Sequence, residues 1–260
     1  MSNINMSSII KGVEQGPIIT VVTGKEAVGK TYFACQSEKP IILDLEHGAE
    51  VYDVPKIPLY GKDIVFDDCM EALRLLYTNH KKLGIKTVVV DSMDWVQKLI
   101  HREVCKKKNV DAIEDLGWGV GYQMAASLAQ DFVNGLDALR QLGLDIIIIC
   151  HTAVVKVDEP ILDVYEVYDL KLDRMIRNTI KEWATVVAFA EFETETRLAG
   201  EKFGQKRYKA ISSGKRIMHT IPQSGFVAKS RIPIPSPIPF DWGHFKESIN
   251  QARKGVTNEN

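Results

Sequence analysis

Residues 24–31 read GKEAVGKT, and they follow directly on the apolar run PIITVVT of residues 17–23. This order predicts a buried strand, then a loop that contains glycine, then the apolar-faced start of a helix at Tyr32. Backbone N–H groups in such a loop, together with the helix N-terminus, form a cradle for phosphate groups. The stretch is therefore interpreted as a P-loop, because a chance match in a surface turn fits poorly with so apolar a preceding strand.

The side chains of this loop have distinct expected roles. Lys30 is expected to reach the β- and γ-phosphates of a bound nucleoside triphosphate, and the Thr31 hydroxyl is expected to hold Mg²⁺. Ala27 adds a Cβ beside the phosphates, which the backbone allows if the φ angle of this residue stays negative. The predicted nucleotide-binding residues are Gly24, Lys25, Glu26, Ala27, Val28, Gly29, Lys30, Thr31 and Tyr32.

A second apolar strand ends in an acid, at residues 87–91 with the sequence TVVVD. After a P-loop, such a strand places its last carboxylate at the same edge of the sheet, where Asp91 is expected to hold Mg²⁺ through water. Ser92 follows Asp91, whereas AAA-type ATPases usually carry their catalytic glutamate at that position, so Ser92 is expected to distinguish the chain from such families. A general base must therefore come from another segment, and Glu46, just after the predicted strand at residues 40–45, is the candidate. A glutamate that caps a helix or forms a salt bridge is the other interpretation.

Two of these segments resemble RecA-type recombinases. DLEHGA at residues 44–49 resembles the D-x-E-H-A segment of that family, and VVVDS at residues 88–92 resembles its Walker B strand. The resemblance implies that Glu46 is the catalytic base. It also implies a role for His151, which follows the predicted strand at residues 145–150, because RecA-like cores carry there a polar sensor, usually glutamine, that responds to the γ-phosphate. A histidine that only caps a strand end is the alternative.

A third segment, GFVAKSRI at residues 225–232, resembles the K-x-K strand with which one RecA subunit reaches the nucleotide of its neighbour. Lys229 and Arg231 take the positions of the two cations. Cations delivered across an interface neutralise the charge that develops on a transferred phosphoryl group, so hydrolysis would depend on assembly. A solvated basic edge strand is the plainer interpretation.

These segments occur in the family's order over most of residues 17–232, so the resemblance concerns the whole core. The chain most resembles the small phage-encoded RecA-like ATPases that are associated with single-strand annealing and recombination. The resemblance implies a protein that binds Mg-ATP, hydrolyses ATP in a DNA-stimulated reaction, and assembles head to tail into a ring or a filament. Single-stranded DNA is the implied partner besides the chain itself, with a single-strand annealing or single-strand binding protein as a further one. The alternative is a nucleotide-gated assembly protein or loader that acts on a protein partner with slow hydrolysis.

The DNA-facing loops of RecA-like cores correspond to residues 105–121 and 152–170 of this chain. The candidate DNA contacts in the first loop are Lys106, Lys107, Lys108 and Trp118. Lysines pair with phosphates and aromatic rings stack on bases, which supports this assignment. The alternative is that the lysines form the solvated C-terminal end of a helix and that the tryptophan packs in the core. The second loop is acidic, which weakens the analogy there.

A basic stretch lies between residues 197 and 231, where nine Lys and Arg stand against the single acid Glu201. Such an asymmetry in a chain of net charge −1 indicates a surface for a polyanion or a subunit interface, with a solvated hairpin face as the alternative. Lys206 and Arg207 are taken as further candidate DNA contacts. The nine cations are Arg197, Lys202, Lys206, Arg207, Lys209, Lys215, Arg216, Lys229 and Arg231.

The 260 residues, 45% apolar and 26% charged, are enough for one substantial core. Short apolar runs alternate with helical patterns at residues 67–82, 94–108 and 123–142, which predicts an α/β fold. We expect a RecA-like P-loop NTPase core with a mostly parallel central sheet flanked by helices and a β-rich C-terminal part. Alternate prolines at residues 231–239 exclude a central strand and indicate an extended surface segment.

The expected domain organisation is simple. An N-terminal extension covers residues 1–16, the ATPase core covers residues 17–240, and a closing helix with a disordered tail covers residues 241–260. The four cysteines are widely spaced and lack a C-x-x-C pair, which argues against a disulfide framework or a zinc site. Because the chain lacks a signal-peptide pattern and an apolar run of membrane-spanning length, we expect a cytoplasmic protein without membrane contact, in the host cytoplasm if a phage encodes it.

Other classes of P-loop protein fit less well. A GTPase would need a D-x-x-G motif where the chain has DSMD at residues 91–94. A small-molecule kinase would need an arginine-rich lid after a late helix, whereas the basic stretch of this chain has a β pattern. The low net charge also argues against a protein that acts only as a sponge for nucleic acid.

Overall fold

The computed structural model describes residue 9 and residues 15–158, 163–202 and 205–258. The side chains of residues 195–211 and 255–258 are outside that description. The predicted N-terminal extension therefore lies almost entirely outside the described residues, and the proposed domain boundaries stay a prediction.

In the described part of the chain, nine strands form one sheet and two more form a separate hairpin. The path through the large sheet is β11-β9-β8-β1-β5-β4-β2-β3, and β10 pairs with β8. Neighbours from β3 to β8 along this path are parallel, whereas β9, β10 and β11 join antiparallel. In chain order the strands are β1 (Ile19–Gly24), β2 (Pro40–Asp44), β3 (Lys56–Pro58), β4 (Thr87–Asp91), β5 (Asp145–Ile149), β6 (Thr152–Val157), β7 (Tyr165–Leu170), β8 (Val186–Lys202), β9 (Gln205–His219), β10 (Lys229–Ser230) and β11 (Ile238–Pro239).

Helices cover both faces of the sheet. In chain order they are α1 (Lys30–Cys35), α2 (Phe66–Leu83), α3 (Met93–Lys108), α4 (Val120–Gln141), α5 (Arg174–Trp183) and α6 (Trp242–Asn258), with a 3₁₀ helix at Ile113–Leu116. The buried residues of α2, α3, α4 and α5 pack on one face, and those of α1 and α6 pack on the other. This arrangement confirms the predicted α/β fold with a mostly parallel central sheet flanked by helices.

The strands β1, β2, β4 and β5 are parallel, so their C-terminal ends meet at one edge of the sheet. Side chains alternate between the two faces of a strand. Ile42 of β2 and Val89 of β4 pack on the α1 face, so the residues two positions further, Asp44 and Asp91, also lie on that face. These two aspartates are direct cross-strand partners. The sheet thus places two carboxylates together beside the start of α1.

An aromatic cluster fixes α1 against α6. Phe33 is 1% exposed, and its ring stacks on Phe240 at a centroid distance of 4.7 Å. The rings of Trp242 and Phe245 lie 5.6 and 5.8 Å from it. Aromatic pairs of this kind contribute about 0.5–1.5 kcal/mol each beyond the area that they bury. The cluster therefore holds the P-loop helix in place from the C-terminal end of the chain.

The prediction of a loop at residues 152–170 is wrong. These residues form the antiparallel hairpin of β6 and β7, apart from residues 159–162 at its tip, which are outside the described residues. TAVVKV and YEVYDL are rich in valine and tyrosine, which are enriched in strands, and this composition favours paired strands. One of the acids, Asp169, is buried and forms ion pairs with Arg177 and Lys181 at 3.4 and 2.9 Å. Part of the acidic charge is therefore neutralised within the chain.

Most other predicted elements agree with the structure within a few residues. The predicted strand at residues 185–193 extends to Lys202 as β8, however, and the predicted strand at residues 225–230 is reduced to β10. The elements β3 and α5 were not predicted, and α6 extends to Asn258. The extended proline segment adds only the short edge strand β11. All four cysteines are free thiols, in agreement with the sequence. Within the described ranges, every helix is too short or too polar to pass through a lipid bilayer.

Candidate functional site

The loop between β1 and α1 has the backbone that its glycines permit. A Cβ on Gly24 would lie 2.0 Å from the Ala190 carbonyl oxygen, so only glycine fits there. Gly29 precedes α1 with a φ of 92°, which is also a glycine conformation. Ala27 has a φ of 57°, so the expectation of a negative φ is wrong. A left-handed alanine costs about 1–3 kcal/mol, and the surrounding loop holds it in this conformation.

Lys30 lies at the centre of the loop with an exposed fraction of 8%. Its Nζ donates hydrogen bonds to the carbonyl oxygens of Gly24 at 3.2 Å and Lys25 at 3.3 Å. Burial lowers the pKa of Lys30, while the negative charges of Asp91 and Glu46 act in the opposite direction. A buried ammonium that contacts only neutral carbonyls has room for an anionic partner, which a triphosphate would supply.

The remaining predicted nucleotide-binding residues differ in how far they are exposed. Lys25 pairs with Glu191 at 3.1 Å, and Glu26 is exposed. Val28 is fully buried beneath the loop, so its side chain supports the backbone instead of facing a ligand. Tyr32 is 41% exposed and lies on the first turn of α1.

Thr31 and Asp91 meet directly, as expected of a magnesium site. The Thr31 hydroxyl donates a hydrogen bond of 2.7 Å to Asp91 Oδ2. Burial raises the pKa of Asp91 to about 6, against the lowering effect of that hydrogen bond. A Cβ on Gly48 would lie 3.9 Å from Asp91 Oδ2, so the segment after β2 passes over this pair.

Asp44 adds a second carboxylate that sequence reasoning did not assign to the site. It is fully buried, and its Oδ1 accepts a hydrogen bond from the Gly48 N–H at 3.1 Å. Its Oδ2 has no hydrogen-bond partner among the described residues. A buried carboxylate oxygen without a partner, next to Asp91 with its raised pKa, fits a cation. The residues present therefore fit Mg²⁺, which Thr31 and Asp91 would hold.

Glu46 and His151 lie together at the same edge. Glu46 Oε1 accepts a hydrogen bond from the Ser92 hydroxyl and lies 3.5 Å from His151 Nδ1. His151 Nδ1 also lies 2.9 Å from Asp94 Oδ2, and this hydrogen bond raises the pKa of His151. The predicted base and the predicted sensor are thus neighbours, and Ser92 and Asp94 join them although the sequence analysis gave neither residue a role.

Lys229 and Arg231 are placed away from the P-loop of their own chain. Lys229 Nζ donates to the carbonyl oxygens of Lys181 at 2.6 Å and Glu182 at 3.1 Å, and Arg231 also donates to the Glu182 carbonyl. Lys229 pairs with Val187 in β8, whereas the P-loop end of β1 pairs with Ala190. Because a strand rises about 3.3 Å per residue, these cations lie on the order of 10 Å or more from their own site. They bind the negative C-terminal end of α5.

Arg216 of β9 approaches the P-loop, and the sequence analysis did not place it in the site. Its guanidinium donates to the Val28 carbonyl oxygen at 3.5 Å and lies 5.5 Å from the centre of the Tyr32 ring. The Tyr32 and Tyr52 rings are 6.1 Å apart. Arg216 forms no ion pair with an acid in the described part of the chain. The sequence signal for Arg216 was its position in the basic stretch. The cations of that stretch do not form one surface, because Lys215 extends toward Glu193 and Lys229 binds α5.

The candidate DNA contacts Lys106, Lys107, Lys108 and Trp118 are on the surface. Lys106, Lys107 and Lys108 are exposed in the last turn of α3, and Lys107 pairs with Glu103 at 3.2 Å. Trp118 is fully exposed between two glycines with positive φ, so the alternative that it packs in the core is wrong. The backbone of Lys206 and Arg207 belongs to β9, but their side chains are outside the described residues.

A comparison with protein families gives one match. The model of a family described as AAA domain matches residues 17–232, which is most of the chain. No curated protein sequence matches the chain. The match corrects the expectation that Ser92 distinguishes the chain from AAA-type ATPases. A carboxylate lies beside Ser92 without following Asp91 in the chain, because Glu46, just after β2, accepts a hydrogen bond from the Ser92 hydroxyl.

Proposed function

The chain belongs to the AAA domain family of P-loop ATPase-like domains, and from this premise we propose that it is a RecA-like enzyme that hydrolyses Mg-ATP and works on single-stranded DNA. The proposed setting is phage-type recombination by single-strand annealing, with the chain assembled head to tail in a ring or a filament. A single-strand annealing or single-strand binding protein is the further partner in this proposal.

The convergence of four strand ends is the observation that carries the ATPase part of the proposal. The P-loop after β1, the acids at the ends of β2 and β4, and His151 after β5 all lie at one edge of the sheet. In open α/β sheets, ligands bind outside the carboxyl ends of the strands. This edge therefore combines a loop suited to phosphates, acids suited to a cation and the carboxylate of Glu46, which are the parts that phosphoryl transfer needs.

The residues have complementary tasks in the proposed reaction. Glu46 accepts a proton from the attacking water as the oxygen of that water forms a bond to the γ-phosphorus. The bond from the γ-phosphorus to the ADP oxygen breaks in the same step. Lys30 contacts the phosphate oxygens as negative charge moves toward the leaving group. Mg²⁺ at Thr31 and Asp91 would neutralise phosphate charge. His151 contacts the γ-phosphate as the sensor.

Assembly would complete the site. Lys229 and Arg231 lie on the order of 10 Å or more from the P-loop of their own chain, so in this proposal they act on the nucleotide of a neighbouring subunit. Their present partners are backbone carbonyls at the end of α5, which are weaker partners for a cation than phosphate. Head-to-tail contact between copies would exchange these carbonyls for the phosphates.

Trp118 supports the DNA part of the proposal. A fully exposed indole on a protein surface is uncommon, because covering a large apolar ring lowers the free energy. Stacking on an unpaired base would cover it and contributes about 1–3 kcal/mol per base. The exposed lysines at the end of α3 would pair with phosphates of the same strand.

The proposed function predicts that single-stranded DNA raises the rate of ATP hydrolysis severalfold at a fixed, stated salt concentration. ATP turnover is measured with and without DNA for the wild type, beside Lys30→Ala as the blank. A rate that depends on the P-loop but is indifferent to DNA would instead favour the loader that acts on a protein partner.

In the same series, Trp118→Ala should weaken DNA affinity about tenfold or more. Trp95→Ala, which removes another partly exposed indole, is its control.

Arg216→Ala is expected to weaken ATP affinity by about tenfold to a hundredfold. A guanidinium beside the phosphate loop that lacks an acidic partner in the described chain would make a charge-assisted hydrogen bond to a phosphate, and such bonds contribute about 1.5–3 kcal/mol. Calorimetric titration with ATP and with tripolyphosphate checks this, because a phosphate contact lowers both affinities. Lys215→Ala is the matched control, since its ammonium is largely exposed and extends toward Glu193. An unchanged affinity in Arg216→Ala would exclude the contact.

A further inference from the structure

A buried carboxylate lies behind the candidate base. Asp94, on the first turn of α3, is 4% exposed. Its Oδ1 accepts hydrogen bonds from the Ser92 hydroxyl at 2.9 Å and from the His151 backbone N–H at 3.1 Å. Its Oδ2 lies 2.9 Å from His151 Nδ1. A carboxylate with three such contacts is fixed in place, and it fixes the imidazole ring in turn.

Both side chains that Asp94 holds also reach Glu46. The Ser92 hydroxyl contacts Glu46 Oε1, and His151 Nδ1 lies 3.5 Å from the same oxygen. The ligand atoms of Glu46, Asp94 and His151 all lie within 4.8 Å of one another. The Ser92 hydroxyl and the His151 Nδ1–H each carry one proton between the two carboxylates, and the imidazole, unlike the hydroxyl, can also carry a positive charge that attracts both. The orientation of Glu46 therefore depends on the ring that Asp94 holds.

The charges around His151 are unequal. Two carboxylates, Asp94 and Glu46, face the ring, and the Lys30 ammonium acts on it from the P-loop. The hydrogen bond to Asp94 raises the pKa of His151. Burial alone would raise the pKa of Asp94, but the hydrogen bonds from His151 lower it. Because Asp94 and Glu46 both lie at Nδ1, Nε2 is the ring nitrogen left to contact a phosphate oxygen.

We propose that Asp94 is a positioning residue of the ATPase site, which acts through His151 to hold the Glu46 carboxylate in its reactive orientation. This role rests on the proposed ATP hydrolysis and adds to it a residue that touches neither the nucleotide nor water. It explains why an acid is buried at a strand-end site that already contains three others, Asp44, Glu46 and Asp91.

The test is the variant Asp94→Asn, which keeps the size of the side chain but removes its charge. It should lower kcat about tenfold to a hundredfold and leave KM for ATP within about twofold, because residues that orient a reactive group act on turnover. Loss of the carboxylate lowers the pKa of His151, so the alkaline limb of the pH–rate profile should move to lower pH. A purely structural role would not move that limb.

A double-mutant cycle separates this route from others. His151→Gln should remove the alkaline limb, and Asp94→Asn should have almost no further effect in that background. Asp173→Asn is the matched control, because it removes the carboxylate of another His–Asp pair, His101 with Asp173 at 2.6 Å, outside the site. It should leave kcat and the pH profile unchanged.

Distinct outcomes overturn the proposal. Equal losses from Asp94→Asn in both backgrounds, or an unmoved alkaline limb, would exclude action through His151. If Asp94→Asn fails to fold, the kcat of His151→Gln decides, since a rate equal to that of the wild type contradicts action through the ring. A wild-type chain without ATP turnover would overturn the proposed function and this role together, whereas an active Asp94→Asn at the wild-type rate would overturn this role alone.

Discussion

Lys30→Ala is expected to reduce ATP hydrolysis by at least a factor of about a hundred to a thousand and to abolish measurable ATP binding. Lys30 is buried in the loop, and among the described residues its Nζ donates hydrogen bonds to the carbonyl oxygens of Gly24 and Lys25. Since burial lowers its pKa, the ammonium gains most from an anionic partner. Replacement by alanine removes the ammonium that would contact the phosphates and leaves its place in the loop unfilled.

Calorimetric titration with Mg-ATP and a phosphate-release assay measure the two effects of Lys30→Ala. Lys82→Ala, an exposed lysine in the last turn of α2, removes the same charge away from the site and is the matched control. Turnover by Lys30→Ala at the rate of this control would mean that the P-loop does not serve hydrolysis in this chain.

Glu46→Gln should lower kcat by about a hundredfold to ten-thousandfold while ATP affinity stays within about threefold. The amide keeps the size of the side chain and can still accept the hydrogen bond of Ser92, but it cannot take a proton from water. Binding and turnover should therefore separate, unlike in Lys30→Ala, where both are lost.

Single-turnover hydrolysis and ATP titration of the same preparation check the separation for Glu46→Gln. Glu50→Gln is the control, because Glu50 lies on the same segment but is exposed and pairs with His47 at 2.9 Å. A kcat that Glu46→Gln leaves unchanged would refute the assignment of Glu46 as the base.

The predicted site residues differ in how far local sequence could locate them. Thr31 and Asp91 belong to motifs in which a strand ends in a loop or an acid, and the structure brings them to 2.7 Å. Arg216 carries no such signal, and Asp44, although it also ends a strand, was given no role from the sequence. Asp44 faces Asp91 only because β2 lies beside β4 in the sheet, and Arg216 reaches the loop only because β9 folds back along β8.

The misjudged segments have a physical explanation as well. Residues 152–170 were predicted to be a loop because they correspond to a DNA-facing loop of RecA-like cores. In the structure they pair as β6 and β7, and Asp169 is buried through its ion pairs with Arg177 and Lys181 of α5. Ala27 adopts a positive φ although a side chain disfavours it, because the requirements of the loop prevail over the preference of one residue.

The sequence by itself determined the parallel α/β sheet, the P-loop and the acid at the end of β4, since these follow from local hydrophobic periodicity and from glycines that permit the turn. Only the tertiary structure decided which side chains meet around Glu46, that Asp94 holds His151, and that Lys229 and Arg231 lie away from their own P-loop. Strand order and pairing bring together residues far apart in the chain, and those contacts depend on the packing of the whole sheet rather than on any local pattern.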